Sequence, residues 1–234
     1  MVDESQQERS PRDRPLGPRC RLCRGPADGV LCPGCRGDLP RIPTPCPECG
    51  EPGHGPERCP ACHRDPPIAP IRAACRYAWP VDRLIHAMKF HRDLVAARGL
   101  GEVLAEAVAE QSADALIPVP LHRQRLAERG FNQALELARP VTKATGAALW
   151  PHHAVRQRAT AAQSGLDARA RQANIQGAFR IRRPVAGARI AIVDDVVTTG
   201  GTTGELARAL LEAGAATVTV WAVARADPPT EEGV

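Results

Sequence analysis

The stretch Arg189-Ile190-Ala191-Ile192-Val193-Asp194-Asp195-Val196-Val197-Thr198-Thr199-Gly200-Gly201-Thr202-Thr203 constrains this chain more than any other. Ile190 to Val193 are apolar and rich in β-branched residues, as a strand buried on both faces of a parallel sheet requires. Gly204 to Gly214 then carries Leu206, Ala207, Leu210 and Leu211 at helical spacing, with Gly214 as the stop. In open α/β sheets, ligands bind at the carboxyl ends of the strands, and Asp194 and Asp195 are expected there. Two neighbouring carboxylates repel unless hydroxyl donors or a metal ion hold them. The turn Thr198 to Thr202 offers backbone N–H groups and hydroxyls at a helix N-terminus, which suits a phosphate. A diol binder and a phosphate cradle this close together describe a site for a ribose 5-phosphate. The plainer alternative, an Asp pair that caps the turn, needs only one such residue.

The cysteines constrain the other end of the chain. Eight of the nine form Cys-x-x-Cys pairs: Cys20/Cys23, Cys32/Cys35, Cys46/Cys49 and Cys59/Cys62. Each pair puts two thiolates on one tight turn, the half-site of tetrahedral zinc. The intervening segments are full of Gly and Pro and nearly empty of apolar residues. Such a segment folds only when metal or disulfides supply the missing energy. The first nineteen residues are charged and Pro-rich with no apolar core, so they read as a disordered leader and not as a secretory signal. Disulfides are therefore disfavoured, and two structural zinc ions fit the ligand count. Sequential and interleaved pairings both remain open at this point. His54 and His63 read as bystanders, and the unpaired Cys75 as a core residue. Four cysteines close the metal shell, so neither ion is expected to be catalytic.

No run of eighteen apolar residues exists, so no membrane insertion is expected, and the chain reads as cytoplasmic. The net charge of +5 comes almost wholly from arginine, since Lys89 and Lys143 are the two lysines. A G- and C-rich genome explains most of that bias, although arginine also suits phosphate binding.

Between these ends, a Pro-rich linker runs from His63 to Pro70. Ile71 to Trp79 reads as a strand, Val81 to Phe90 as a helix with Leu84, Ile85 and Met88 on one face, and Leu94 to Glu110 as a second helix. Ala115 to Pro120 is a short strand, Phe131 to about Gly146 a helix, Leu149-Trp150 a candidate strand, and Thr217 to Val223 a strand. Strands alternating with helices imply a parallel sheet with right-handed crossovers. The expected fold is therefore α/β, a parallel sheet flanked by helices, behind a small Cys-rich N-terminal domain. The expected boundaries are 1–19 for the leader, 20–66 for the double zinc ribbon, 71–225 for the α/β domain and 226–234 for a disordered tail.

The Asp-Asp loop resembles the phosphoribosyl pyrophosphate loop of type I phosphoribosyltransferases. That resemblance implies that Asp194 and Asp195 hold the ribose hydroxyls with help from magnesium, while Thr198, Thr199, Gly200, Gly201 and Thr202 wrap the 5-phosphate. A second motif, Pro118-Val119-Pro120-Leu121-His122 to Glu128-Arg129-Gly130-Phe131-Asn132-Gln133, occupies the turn that approaches the pyrophosphate in those enzymes. Arg123 and Arg125 there are placed for bidentate contacts, although the Gly-rich turn common in the superfamily is absent. The alternative is a solvated basic helix face. A third stretch, from Arg156 and Arg158 through Gln163, Ser164, Arg169 and Arg171 to Asn174 and Phe179, is long and polar, as a lid or a plain surface excursion would be. In a lid, Arg156 and Arg158 would neutralise leaving-group charge.

Together the paired cysteines, the Pro-Val-Pro-Leu…Arg-Gly-Phe-Asn-Gln run, the Gln163…Arg169…Asn174 stretch and the Asp-Asp loop resemble the ComF family over residues 20 to 225. Membership implies a double zinc ribbon on a type I phosphoribosyltransferase domain, and a link to DNA uptake and natural competence. Two functions follow as expectations. One is transfer of phosphoribosyl from phosphoribosyl pyrophosphate to an unknown acceptor. The other is a non-catalytic DNA-uptake accessory or sensor that binds single-stranded DNA or a competence-machinery protein. Seven aromatic residues (three Trp, one Tyr, three Phe) are few for a platform that stacks bases.

Overall fold

The apolar runs of the sequence all need covering. The computed structural model, which describes residues 17–158 and 175–227, covers them with helices on both sides of one sheet. In chain order the strands are β1 (Ile71–Arg76), β2 (Ala115–Pro118), β3 (Ala148–Leu149), β4 (Ala154–Arg156), β5 (Phe179–Ile181), β6 (Arg189–Val197) and β7 (Thr217–Arg225). Five of them run parallel in the order β1-β7-β6-β2-β3, while β4 and β5 pair antiparallel as a separate ribbon. The helices are α1 (Pro33–Gly37), α2 (Pro60–Arg64), α3 (Val81–His91), α4 (Leu94–Ala107), α5 (Arg123–Arg129), α6 (Gln133–Thr145) and α7 (Gly201–Glu212).

The strand period of two divides the core. Ala191, Val193, Trp221 and Val223 face one side and pack with Leu84, Ile85 and Met88 of α3, Leu100 and Leu104 of α4, and Leu137 and Val141 of α6. Ile190, Ile192, Val220 and Ala222 face the other side, against Leu206 and Leu210 of α7 and Phe179 of β5. Each large side chain buried this way contributes about 1.5–3 kcal/mol. The expected parallel sheet flanked by helices is thus the observed one, and Cys75 is fully buried in its core.

The boundaries differ from the sequence reading where partners extend or stop an element. β1 ends at Arg76, and the chain turns through Pro80 into α3. α4 stops at Ala107. β6 runs on to Val197 because β7 pairs with it as far as Arg225. α7 begins at Gly201, capped by Gly200 in the left-handed region at φ 77°. The lid stretch from Ala159 to Asn174, the leader up to Leu16 and the tail beyond Asp227 lie outside the described residues.

The cysteine-rich segment departs further from expectation. Its few apolar residues are not stranded: Val30, Leu31 and Leu39 are buried in the same cluster as Leu100 and Val103 of α4. Around them Arg21 pairs with Asp93, the residue whose carboxylate caps α4. Arg36 pairs with Glu102 and Glu106, and Arg41 with Glu106. The later half of the segment meets the sheet edge instead, where the Ile71 N–H donates to the Glu48 carbonyl at 2.7 Å. Arg72 there donates to the Pro47 carbonyl at 2.6 Å.

Candidate functional site

Because β6 is the middle strand, its polar end has no way out to solvent except along the sheet's carboxyl edge. Asp194 is 8% exposed and Asp195 4%. The sequence reading put them at the strand's end, but the strand continues for two residues beyond them. Adjacent strand residues point to opposite faces, so the pair is split. Asp195 is on the α3 side, where Lys89 Nζ lies 2.9 Å from its Oδ2. Asp194 opens into a cleft of about 640 Å³ that Lys89, Val196 and the whole turn Thr198 to Thr203 also line. Burial, reinforced by the Asp195 charge, pushes the Asp194 carboxyl up to about 7.

The turn after β6 is built for backbone exposure. Gly200 takes a positive φ that a side chain would resist, and no side chain caps the first N–H groups of α7. The Thr203 hydroxyl is spent locally, donating to the Gly200 carbonyl at 3.1 Å. Thr198, Thr199, Gly200, Gly201 and Thr202 line the cleft together.

Four expected arginines divide unequally. A β-bridge between His122 and Arg156 brings β4 to the start of α5. Arg156, half-buried over the Phe179 ring at 5.6 Å, has its guanidinium pKa lowered by burial and the Arg125 charge, with Asp194 opposing. Arg156 is thus in electrostatic reach of Asp194, whereas Arg125, exposed on α5, is felt by Arg156 and Arg129. Arg123 is exposed at the first turn of α5, and Arg158 is exposed with Nη1 donating to the Gln176 carbonyl at 2.9 Å. None of the four lines the cleft.

Two site residues had gone unassigned in the sequence. Lys89 follows Leu84, Ile85 and Met88 at the border of the apolar face of α3, a place where one of only two lysines could have drawn notice. Arg129 is held by Gln133 Oε1 at 2.7 Å; burial lowers its pKa, with the Asp195 charge acting in the opposite direction. The linker is the other surprise, since Asp65, Pro66, Pro67, Ile68 and Ala69 form a wall of the same cleft.

The cysteines group sequentially. Cys20, Cys23, Cys32 and Cys35 form one cluster and Cys46, Cys49, Cys59 and Cys62 the other, with the sulfurs of each within 4.8 Å of one another. His54 and His63 belong to neither. The Cys23–Cys32 and Cys49–Cys59 sulfur separations are 3.7 and 3.6 Å. A zinc tetrahedron with the usual Zn–S bond has an edge of about 3.8 Å, so the donors fit. Burial raises the Cys20 thiol, but backbone hydrogen bonds from Cys32, Cys23 and Leu22 outweigh it and bring it down to about 6. Cys46 is brought to about 7 against burial by the backbone of Cys49, Cys59 and Glu48. Burial and the neighbouring thiols push Cys35 up to about 12 and raise Cys49 and Cys62 as well, so without a metal ion each group favours one thiolate and holds neighbouring thiols protonated. No helix among the described residues is long and apolar enough to cross a membrane.

No protein-family model matches the sequence. Among solved structures, the chain is similar to a purine phosphoribosyltransferase from Pyrococcus horikoshii, with a TM-score of 0.34 and 18% identity over 67% of this chain and 91% of that one. It is also similar to an allosteric regulatory enzyme of purine biosynthesis, with a TM-score of 0.37 and 24% identity over 54% of this chain and 25% of the other. Its curated relatives are much nearer. The DNA utilization protein YhgH of Salmonella typhi is 38% identical over 218 residues, 88% of this chain and 96% of that protein. The YhgH protein of Escherichia coli K12 is 39% identical over 219 residues, with the same coverage. Competence protein F of Haemophilus influenzae is 31% identical over 223 residues, 89% of this chain and 97% of that one. Identity at this level, carried along nearly the whole of both partners, means that the chain belongs to the ComF family, that of competence protein F and the DNA utilization protein YhgH.

Proposed function

We propose that this protein binds phosphoribosyl pyrophosphate with magnesium, as a phosphoribosyltransferase-like member of a family tied to the use of external DNA. The observation that carries the reading is one cleft shared by buried Asp194 and the uncapped Thr198–Thr202 turn. Of the two buried carboxylates, Lys89 answers Asp195, and Asp194 is left facing the cleft. A hard divalent cation is the partner such a carboxylate suits. The free N–H groups of α7 suit a phosphate in the same way. Bound there, phosphoribosyl pyrophosphate supplies an anomeric carbon open to a nucleophile and a pyrophosphate leaving group.

The chain's own residues then divide the ligand. Asp194 orients the ribose hydroxyls from the cleft, Asp195 supports it from the other face through Lys89, and Thr198, Thr199, Gly200, Gly201 and Thr202 hold the 5-phosphate. Arg125 and Arg156 meet the pyrophosphate, with Arg123 and Arg158 contributing from the rim. The partial desolvation of Arg156 makes its contact stronger than in bulk water. Each four-cysteine group holds one structural zinc ion. The work is done in the cytoplasm, without membrane insertion.

A second ligand, single-stranded DNA, is favoured by the exposure of Tyr77, Trp79 and Phe90 at 44, 73 and 64%, on the segment that also delivers Lys89. Three of the seven aromatics are thus displayed within fourteen residues, where bases could stack.

The test is calorimetric titration of magnesium and phosphoribosyl pyrophosphate into the full chain and into an Asp194→Asn/Asp195→Asn variant. Micromolar binding that the variant lacks supports the reading and justifies a screen of acceptors. Absence of binding to both overturns it. Salt-dependent affinity for a single-stranded oligonucleotide in place of that binding would favour the accessory role.

A further inference from the structure

Arg225, the last residue of β7, is 8% exposed, and its guanidinium reaches two turns at once. On one side Nε donates to the Cys49 carbonyl at 3.0 Å, and Nη2 lies 3.5 Å from Glu51 Oε2. Both partners belong to the knuckle of the second four-cysteine group, which is closed by the Cys46 N–H donating to the Glu51 carbonyl at 2.7 Å. On the other side Nη1 donates to the carbonyls of Val197, at 3.4 Å, and of Thr198. Val197 ends β6, and Thr198 opens the turn that lines the cleft.

We propose that Arg225 is a positioning residue for the phosphate-binding turn, and that metal in the second four-cysteine group sets its position. The proposal rests on the phosphate reading of that turn given above. The reasoning starts from the peptide plane. In a trans peptide, the carbonyl of one residue and the N–H of the next point in opposite directions. Holding the Val197 and Thr198 carbonyls therefore turns the N–H groups of Thr198 and Thr199 away from Arg225. A planar guanidinium with five donors can serve two turns at fixed geometry, which a lysine ammonium cannot do. Its charge is buried, so loss of either set of partners leaves a costly group that has to move.

The same contacts couple the metal to the turn. Without an ion nothing ties Cys46 and Cys49 to Cys59 and Cys62, the Cys46–Glu51 knuckle loosens, and Arg225 loses its hold on Cys49 and Glu51. The first four-cysteine group packs instead against α4 through Val30 and Leu31. It provides the internal control.

Hydrogen–deuterium exchange on the full, zinc-loaded chain tests this, read on the peptide spanning residues 197–204 with α6 as reference. Arg225→Lys, keeping both metal ions, is expected to speed exchange in that peptide about tenfold. Cys59→Ser is expected to do the same through loss of the second ion, and Cys23→Ser to leave the peptide unchanged. Arg225→Lys without effect overturns the positioning role. Acceleration by Arg225→Lys but not by Cys59→Ser overturns the metal coupling, as does equal acceleration by Cys23→Ser. If Cys59→Ser speeds exchange in α6 as well, the wild-type chain is followed instead while a limiting chelator removes zinc. Protection of residues 197–204 that fails to track the metal then counts against the coupling. Exchange is read without ligand, so failure to bind phosphoribosyl pyrophosphate would sink the functional reading and leave this result standing.

Discussion

Lys89 Nζ lies 2.9 Å from Asp195 Oδ2, an ion pair in which the carboxylate is 5% exposed and the ammonium 23%. It ties α3 to the central strand across the floor of the candidate site. Removing one partner of such a pair leaves a buried charge without an answer, which costs more than an exposed pair would. Lys89→Met, which keeps the aliphatic stem, is expected to lower stability by about 2 kcal/mol, partial exposure of Lys89 trimming the usual cost. Urea unfolding at constant m-value measures it. In a double-mutant cycle with Asp195→Asn, the second substitution should cost less than it does alone. Independent, additive losses would show that the pair is not coupled.

Asp194 makes a pH prediction of definite sign. Its carboxyl is raised by burial and by Asp195 from 3.8 to about 7, so between those values the folded chain holds a proton that the unfolded chain has lost. Stability therefore falls as pH rises from about 4 to about 7, the reverse of a salt-bridged carboxylate. Asp194→Asn cannot lose a proton, and its stability should gain on that of the wild type across this window and level off above it. The comparison of unfolding free energies between pH 4 and pH 8 is the measurement. A constant difference across the window would mean that Asp194 is ionised throughout. In the proposed function the same proton has to leave for magnesium to bind, so affinity should rise through the same window.

The fold was legible because two periods carried it. Ile190 to Val193 and Thr217 to Val223 read as buried strands, and Leu84, Ile85 and Met88 as one helix face, since each pattern reports burial directly. The turn Thr198–Thr202 was legible because Gly and Thr cluster where a helix starts. Lys89, Arg129 and Arg225 were not singled out. Each acts across the fold, on a partner whose distance in sequence no local pattern encodes. The linker wall was missed for a related reason: Pro66 and Pro67 announce a break in structure, not where the chain lies. The cysteine spacing named the ligands but not their grouping, which only the coordinates of the two knuckles decide.

Metal content follows from the grouping. The zinc-loaded chain is expected to hold two ions, falling to one in Cys23→Ser. With metal bound, the eight grouped thiols should be slow toward a thiol reagent. Chelation under native conditions should release those eight, and denaturation a ninth. The ninth is Cys75, fully buried, its thiol pushed up to about 11 by burial, so it is both unreachable and protonated. Nine thiols reacting before denaturation would mean that metal loss opens the core as well.

Gly99 tests how tightly the first four-cysteine group is seated. It is buried on α4, and a Cβ there would meet Val30 Cγ1 at 2.5 Å and Val30 Cβ at 2.9 Å. Alanine is the better helix former by about 1 kcal/mol, so on an unobstructed helix Gly99→Ala would stabilise. Here the added methyl has to displace a branched side chain held in the main cluster, and overpacking of that kind costs about 1–3 kcal/mol. A net loss of about 1 kcal/mol is therefore expected from Gly99→Ala. Val30→Ala alone is also expected to destabilise, through the cavity it leaves. Combined, the methyl added at Gly99 takes part of the space left by the two methyls lost from Val30, and the double variant should be more stable than the sum of the single losses allows. Chemical unfolding of the four chains reads the cycle. A Gly99→Ala variant more stable than the wild type would mean that the four-cysteine group does not press on α4 in solution, and that its seating against α4 is looser than the shared cluster of Val30, Leu31 and Leu100 implies.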